Sequence, residues 1–172
     1  MEYTYRCGSP LGPITLAGDG SALTGLWFDG QEHFAASLDN EHEERFLPVF
    51  RETEQWLACY FSGRAPGFTP ALSPKGTAFR RAVWDILLSV PYGKTVTYGE
   101  IAETLSGRTG VPVSPRAVGG AVGHNPISLI IPCHRVIGAD GSMTGYAGGL
   151  GRKARLLELE GALPGDSRAR RP

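Results

Sequence analysis

The sequence predicts a mixed α/β (α+β) protein in two parts, the first with strands and one helix and the second mainly helical. Short apolar or alternating runs fill the first 30 residues, as is typical of β-structure. After residue 77, apolar residues recur at helical spacing in several segments. Three prolines in residues 63–76 indicate an ordered linker between the two patterns. We therefore expect domains at 1–73 and 74–161, followed by a disordered basic tail at 162–172.

The N-terminal part begins with a predicted β-hairpin. Residues 14–17 and 23–28 are the two apolar runs, and the Gly-Asp-Gly-Ser sequence at 18–21 has the composition of a tight turn. From residue 43 to residue 62, apolar positions follow a helical period, and Pro48 is tolerable near the start of that helix.

The C-terminal part contains a predicted helix-turn-helix. A helix begins after Thr77 as its N-cap, and a short helix covers residues 98–105. After a loop at 106–112, Ser114 and Pro115 open another helix, with the proline at its first position. Two helices joined by a short connection are typical of this motif, although many other helix pairs share the pattern.

The last third of the chain combines an apolar run, a glycine-rich loop and a final helix. Residues 129–132 are expected to be extended, because Pro132 disfavours helix at the residue before it. Six glycines between residues 138 and 151 indicate a loop with unusual backbone geometry. The final helix covers residues 151–160, and Gly161 ends it.

Charge is distributed unevenly along a chain whose formal net charge is zero. Residues 1–73 carry four basic and ten acidic residues, a net charge of −6. Residues 74–172 carry thirteen basic and seven acidic residues, a net charge of +6. This asymmetry favours a polyanion as partner of the second part, and chance clustering of solvated charges is the alternative.

Several classes of protein are disfavoured by composition. No apolar run approaches the ~20 residues that span a bilayer, and the N-terminus lacks the layout of a signal peptide, so we expect a cytoplasmic protein without membrane contact. Cys7, Cys59 and Cys133 are too few and too far apart for a disulfide framework or a zinc site. Residues 93–95 and 149–154 resemble parts of nucleotide-binding loops but lack the rest of each motif. We expect no cofactor and no metal.

The segment Ile130-Ile131-Pro132-Cys133-His134-Arg135-Val136 carries the most informative chemistry. A thiol with an ordinary pKa of ~8.5 needs a base to become a nucleophile at neutral pH, and His134 is such a base. A carboxylate, for which Glu160 is the candidate, fixes the tautomer of that histidine. Because adjacent side chains diverge outside a helix, a water bridge between Cys133 and His134 is favoured over direct contact. A buried, inert cysteine beside a satisfied histidine is the alternative.

In this chain, Gly-His-Asn-Pro at residues 123–126 precedes Pro-Cys-His-Arg at residues 132–135. Together these segments resemble the active-site signature of the O6-alkylguanine-DNA alkyltransferase family. Further matching segments are Phe79…Val83-Trp84, Pro91-Tyr92-Gly93, Thr97-Tyr98-Gly99-Glu100-Ile101-Ala102, Arg116-Ala117-Val118-Gly119, Gly145-Tyr146-Ala147-Gly148-Gly149-Leu150 and Lys153…Leu156-Leu157-Glu158-Leu159-Glu160. The resemblance is dense over residues 77–161, and the N-terminal part matches only in layout.

The resemblance implies a ribonuclease-H-like α/β domain followed by a helical domain whose helix-turn-helix enters the minor groove and flips the damaged guanine out of the duplex. It implies DNA repair by irreversible, single-turnover transfer of an alkyl (methyl) group from O6-alkylguanine to a cysteine, with O4-alkylthymine as a second candidate substrate. The implied partner is double-stranded DNA containing alkylated guanine, bound by a monomer.

The resemblance also assigns roles to residues. Cys133 is the alkyl acceptor, His134 is the base that acts through water, and Glu160 orients His134. Tyr98 donates a hydrogen bond to the departing guanine, and Asn125 braces the turn between the two matching motifs. Arg116 takes the place of the flipped base. Further expected DNA contacts are Ala117, Gly119, Thr95, Tyr98 and Arg135. The expected pocket lining is Val122, Ser128, Tyr146, Ala147 and Gly148.

Three departures from the family pattern bear on these roles. The loop at 106–113 is longer than in the members compared, which affects the placement of Arg116. Ala147 stands where some members have serine, so a hydroxyl donor to the substrate is lost. The Cys and His spacing of zinc-containing members is absent from the N-terminal part.

Three other functions are alternatives to alkyl transfer. A lesion-binding protein without repair activity is disfavoured because such proteins lack the cysteine. A transcription regulator is disfavoured because the chain has no additional metal-binding or dimerising segment. A thiol hydrolase with a Cys-His-Glu triad would turn over, whereas an alkyltransferase is consumed.

Overall fold

Two structural units divide the chain, and the computed structural model describes residues 1–163. The first unit comprises residues 1–75 together with residues 126–130 from much later in the chain. The second comprises residues 76–125 and the residues from 131 onward. The segment 126–130 falls inside the predicted domain 74–161, so the chain returns to the first unit shortly before Cys133.

The first unit contains a four-stranded sheet. Its strands are β1 (Glu2–Cys7), β2 (Ile14–Gly18), β3 (Leu23–Phe28) and β4 (His42–Glu44), in the order β3-β2-β1-β4. The first three strands are antiparallel and β4 is parallel to β1. The predicted hairpin is confirmed as β2 and β3, where the carboxylate of Asp19 accepts two backbone N–H groups of the turn.

Helix α1 (Pro48–Phe61) begins later than the sequence predicts. Residues 43 and 44 were included in the predicted helix but instead belong to β4, which pairs with β1 as the edge strand of the sheet. Pro48 disfavours helix at the preceding residue and fits the first helical position, so the helix begins there. Its buried face, which includes Phe50, Trp56 and Tyr60, contributes to the core of this unit.

Residues 126–130 add to the edge of the sheet at β3. The N–H of Leu26 donates to the carbonyl of Pro126, and the N–H of Ser128 donates to the carbonyl of Leu26, both at 2.9 Å. Ile130 N–H then donates to the Ser128 carbonyl at 2.8 Å, which closes a γ-turn around Leu129 with φ of +70°. The prediction of extended structure from Leu129 onward is therefore wrong, because pairing with β3 ends in this turn.

Four helices and a small two-stranded sheet make up the second unit in the described chain. They are α2 (Ala78–Leu88), β5 (Val96–Thr97), α3 (Tyr98–Thr109), α4 (Pro115–Gly123), β6 (Val136–Ile137) and α5 (Leu150–Leu159). The predicted N-caps are confirmed, since Thr77 Oγ1 accepts from Arg80 N–H and Ser114 Oγ accepts from Ala117 N–H. Strands β5 and β6 are parallel.

The predicted pair α3 and α4 is present, but α3 extends one turn further than residues 98–105. The hydroxyls of Ser106 and Thr109 donate to backbone carbonyls one turn earlier, those of Ala102 and Leu105 respectively. Both side chains therefore find hydrogen-bond partners within the helix. Gly110, with φ of +71°, ends the helix in the left-handed conformation. The predicted loop at 106–112 is thus reduced to residues 110–113.

At the end of the described chain, Ala162 is buried and its N–H donates to the carbonyl of Leu157 at 2.7 Å. The rest of the predicted disordered tail, from residue 164, lies outside the described residues. No helix in residues 1–163 combines the length and apolar character that crossing a membrane requires.

Candidate active site

Cys133 is held by two consecutive tight turns. Pro132 has φ of −82° and ψ of 64°, an inverse γ-turn closed by the Cys133 N–H and the Ile131 carbonyl at 2.8 Å. The chain continues as a 3-10 turn, Cys133–Arg135, and enters β6. Asn125 Nδ2 donates to the same Ile131 carbonyl at 2.8 Å, so the predicted brace fixes the turn that carries Cys133.

His134 and Glu160 form the polar pair that the sequence suggested. His134 Nε2 and Glu160 Oε2 are 2.6 Å apart, and both side chains are fully buried. Glu160 lies at the end of α5, 26 residues from His134, so the fold brings them together. A carboxylate at Nε2 places the proton of the neutral imidazole on that nitrogen, which leaves Nδ1 as the basic nitrogen.

Arg135 completes the network around this carboxylate. Its Nε donates to Glu160 Oε1 at 2.8 Å, and its Nη1 donates to the carbonyl of Val90 at 2.7 Å. The N–H of Gly93 donates to Glu160 Oε1 at 3.0 Å. Arg135 is 8% exposed and its guanidinium is bonded inside the site, and its predicted contact with DNA stays a prediction. Its burial follows from the 3-10 turn, which directs His134 and Arg135 to the same carboxylate.

Burial and charge set the protonation states of the site. Burial raises the pKa of the Cys133 thiol, although Asn125 and the charge of Lys153 oppose that rise. Burial also lowers the pKa of His134 against the opposing influence of Glu160. Burial alone would raise the pKa of Glu160, but the hydrogen bond from His134 and the charge of Arg135 outweigh it and lower the pKa to about 2. At neutral pH the resting site holds a thiol, a neutral imidazole and a carboxylate.

A glycine-rich segment without helix or strand, residues 138–149, borders the site. Tyr98 Oη donates to the carbonyl of Thr144 at 3.2 Å, so the predicted guanine donor is anchored to this segment. Further along, an added Cβ at Gly148 would lie 2.5 Å from the ring of Tyr146, which shows how closely these two predicted pocket residues pack. Ala147 is half-buried beside them.

Helix α4 presents a thin, open face next to Tyr98. A Cβ added at Gly119 would be 3.8 Å from the Tyr98 ring, and one added at Gly120 would meet nothing within 4 Å. Arg116 and Ala117 are exposed on this helix. Its other face is buried, and Trp84 Nε1 donates to the carbonyl of Ala121 at 2.9 Å.

The other residues predicted to contact DNA or line the pocket are Thr95, Val122 and Ser128. Thr95 is half-buried just before β5, and Val122 is buried on α4. Ser128 is buried in the first unit, where its Oγ is 3.5 Å from Gln31 Oε1. Their contacts with DNA or substrate stay predictions. In residues 1–163, no three His, Cys, Asp or Glu side chains are grouped in a way that could hold a metal ion.

Lys153 is a residue of the site to which the sequence analysis assigned no role, although it lies in a segment that resembles the family. It is fully buried, and its ammonium donates to backbone carbonyls of the glycine-rich segment and of β6. A signal was present, because Lys153 precedes Leu156, Leu157 and Glu160 by three, four and seven residues. That spacing places it on the buried face of α5.

Comparisons with known proteins match both parts of the chain. Residues 1–74 match the family model described as 6-O-methylguanine DNA methyltransferase, ribonuclease-like domain, and residues 78–162 match the one described as its DNA binding domain. A protein of Mycobacterium tuberculosis (strain H37Rv) named methylated-DNA–protein-cysteine methyltransferase is 47% identical over 160 residues, which is 93% of each chain. A protein of the same name from Methanosarcina acetivorans is 46% identical over 90% of this chain and 95% of its own length.

Solved structures agree with these matches. A crystal structure of Mycobacterium tuberculosis OGT in complex with DNA has a TM-score of 0.81 and 45% identity, covering 97% of this chain and 94% of that one. The predicted fold class, a ribonuclease-like α/β domain followed by a helical DNA-binding domain, is confirmed. With both domains matched in order over nearly its whole length, the chain belongs to the 6-O-methylguanine DNA methyltransferase family.

Proposed function

We propose that this protein repairs DNA by transferring the alkyl group of O6-alkylguanine to the sulfur of Cys133, once per protein molecule. The observation that carries the proposal is the buried Cys133 thiol, held by Asn125 and the Pro132 turn beside the His134–Glu160 pair. Membership of a family of DNA methyltransferases, with relatives named as methylated-DNA–protein-cysteine methyltransferases, supports the same chemistry.

The proposed reaction is a displacement in line at the alkyl carbon. Cys133 gives its proton to Nδ1 of His134 through a water molecule, and the thiolate attacks the alkyl carbon. A sulfur–carbon bond forms as the carbon–O6 bond breaks, and the electron pair of the broken bond goes to the guanine. The guanine then takes up a proton and His134 gives up the proton that it gained, so no charge is left behind. The resulting thioether is not hydrolysed, which limits each molecule to one reaction.

The roles of His134 and Glu160 follow from the protonation states at rest. A neutral thiol is a poor nucleophile, so removal of its proton is an obligatory step. The imidazolium formed on His134 would be costly in a buried site, and the ionised Glu160 at 2.6 Å stabilises it. Arg135 and the Gly93 N–H hold that carboxylate in place.

The open face of α4 is the proposed DNA contact. Arg116, Ala117 and Gly120 are exposed there, and small residues allow a nucleic-acid backbone to approach closely. We infer that this face enters the minor groove and that Arg116 occupies the space left by the flipped guanine. The match to a relative solved in complex with DNA supports this arrangement.

We also propose that the protein acts as a monomer in the cytoplasm. Cys7, Cys59 and Cys133 are all free thiols, and the proposed reaction needs Cys133 reduced. A reducing compartment maintains that state.

Substitution of Arg116 and of Tyr98 should separate DNA opening from chemistry. Arg116→Ala should slow repair of duplex DNA roughly tenfold or more, because extruding a base costs a few kcal/mol that the arginine offsets. It should leave reaction with free O6-alkylguanine unchanged, because a free base has no stack to open. Tyr98→Phe should slow both substrates by about tenfold, since it removes the hydroxyl that, once released from the Thr144 carbonyl, donates to the leaving guanine. Single-turnover rates on the two substrates measure both effects.

Arg155→Ala is the matched control, because Arg155 is an exposed arginine on α5 of the same unit. It should leave both rates near those of the wild type. Equal slowing of duplex and free base by Arg116→Ala would make Arg116 a pocket or folding residue and would contradict its assigned role.

A further inference from the structure

Lys153 is a buried cation to which the proposed transfer step gives no task as acid, base or nucleophile. It is 0% exposed, on the face of α5 that also carries Glu160. Its Nζ donates to the carbonyls of Val136, of Thr144 at 2.9 Å and of Gly145 at 3.2 Å. All three N–H bonds of an ammonium group are thereby used.

These three carbonyls connect two parts of the site. Val136 begins β6 directly after the 3-10 turn that contains Cys133. Thr144 and Gly145 belong to the glycine-rich segment and directly precede Tyr146. The Thr144 carbonyl also accepts from Tyr98 Oη. A single ammonium group therefore ties the backbone that follows the nucleophile to the segment proposed to line the pocket.

The charge of Lys153 also acts on Cys133, where it lowers the pKa of the thiol against the larger, opposing effect of burial. Burial lowers the pKa of Lys153 to about 8, and the interaction with Cys133 opposes that fall. The other charged or titratable groups of this region include His134, Glu160 and Arg135, and also Tyr98, whose Oη shares the Thr144 carbonyl with Lys153. Glu160 is bound by both Arg135 and His134, so its negative charge is already compensated. This leaves Lys153 as the cation beside a thiolate on Cys133.

We propose that Lys153 is a positioning residue whose ammonium group holds the Thr144–Gly145 backbone against β6 and stabilises the Cys133 thiolate as it forms. The proposal rests on the function proposed above, in which Cys133 is the nucleophile. Two effects of the buried cation are expected: the Thr144–Gly145 segment is ordered, and a larger fraction of Cys133 is thiolate at neutral pH.

The test is the rate at which iodoacetamide alkylates Cys133 without DNA, measured against pH and assigned by peptide mass mapping. Lys153→Met removes the charge and the donors at similar size, and Lys153→Arg keeps the charge. At neutral pH, Lys153→Met should react at least tenfold more slowly than the wild type, because the thiolate loses its neighbouring cation. Lys153→Arg should restore most of the rate. Arg155→Met, an exposed position on the same helix, is the control and should match the wild type.

The pH profile provides a readout that a purely structural role would not change. In the wild type, the alkylation rate should rise tenfold per pH unit and then flatten above about pH 8, because loss of the Lys153 proton removes the stabilising charge. In Lys153→Arg the rise should continue past that pH, since the guanidinium stays charged. Amide hydrogen exchange of residues 143–149 should be faster in Lys153→Met and close to wild type in Lys153→Arg.

The proposal is overturned if folded Lys153→Met and the wild type alkylate at equal rates with the same unbroken pH profile. If Lys153→Met does not fold, the proposal is tested by comparing the wild type with Lys153→Arg. A wild-type alkylation rate that shows no break near pH 8 then overturns the proposal. Because alkylation requires no DNA, these outcomes are independent of repair activity. Failure of repair with the expected alkylation profile would contradict the proposed function and not the role of Lys153.

Discussion

Cys133→Ala is expected to abolish alkyl transfer completely while DNA affinity stays within about twofold of the wild type. The substitution removes one sulfur atom from a buried position, and the other two thiols belong to the first unit, Cys7 on β1 and Cys59 on α1. The DNA contact is assigned to the open face of α4, which the substitution does not touch. Transfer of a radioactive methyl group from a methylated duplex measures the first effect, and a gel-shift titration measures the second.

Cys59→Ala is the matched control for the loss of a thiol. Cys59 is only partly buried, on α1 of the first unit, and should be dispensable for transfer. Residual transfer by Cys133→Ala, or loss of transfer in Cys59→Ala, would show that Cys133 is not the acceptor.

Glu160→Gln is expected to have the second largest effect, on both stability and rate. It removes the charge that faces Arg135 and His134 in a fully buried network. Breaking a buried ion pair by removing one partner costs about 3–5 kcal/mol. The transfer rate should fall by roughly 10²-fold or more, because the imidazolium loses its stabilising carboxylate. Urea unfolding and single-turnover rates measure the two effects, and Glu158→Gln, an exposed glutamate on the same helix, is the control.

The stability difference between the wild type and Glu160→Gln should depend on pH with a defined sign. The pKa of Glu160 is lowered from 4.5 to about 2 in the folded protein, so its contribution is fully present above pH 4.5 and is lost as pH falls through about 2. The shift corresponds to roughly 3 kcal/mol. The difference should therefore narrow as pH is lowered from 4.5 towards 2. A difference that stays constant over that range would contradict the assigned ionisation of Glu160.

Local signals explain which helices the sequence predicted well. Thr77 and Ser114 cap their helices with their own hydroxyls, and Gly161 takes up left-handed backbone after the last helix. Such signals lie within a few residues of the structure that they determine. The extension of α3 was missed because Ser106 and Thr109, which often favour loops, bond back into the helix instead.

Long-range partners explain what could not be predicted. The γ-turn at Leu129 depends on pairing with Leu26, about one hundred residues away in sequence. The burial of Arg135 depends on Glu160 and on the carbonyl of Val90, 45 residues earlier. Glu160 was a candidate partner of His134 from the chemistry of the sequence, and the resemblance assigned it the same role, but its distance from His134 is set by the fold. Lys153 was overlooked because a lysine on the apolar face of a helix is more often solvated than buried.

Intact protein mass after exposure to DNA containing O6-methylguanine tests the central claim most directly. Excess methylated duplex should add the mass of one methyl group to each molecule, peptide mapping should place it on Cys133, and the number of repaired bases should equal the number of protein molecules. Repair of more than one base per molecule, or repair that leaves the mass of the protein unchanged, would contradict transfer to Cys133.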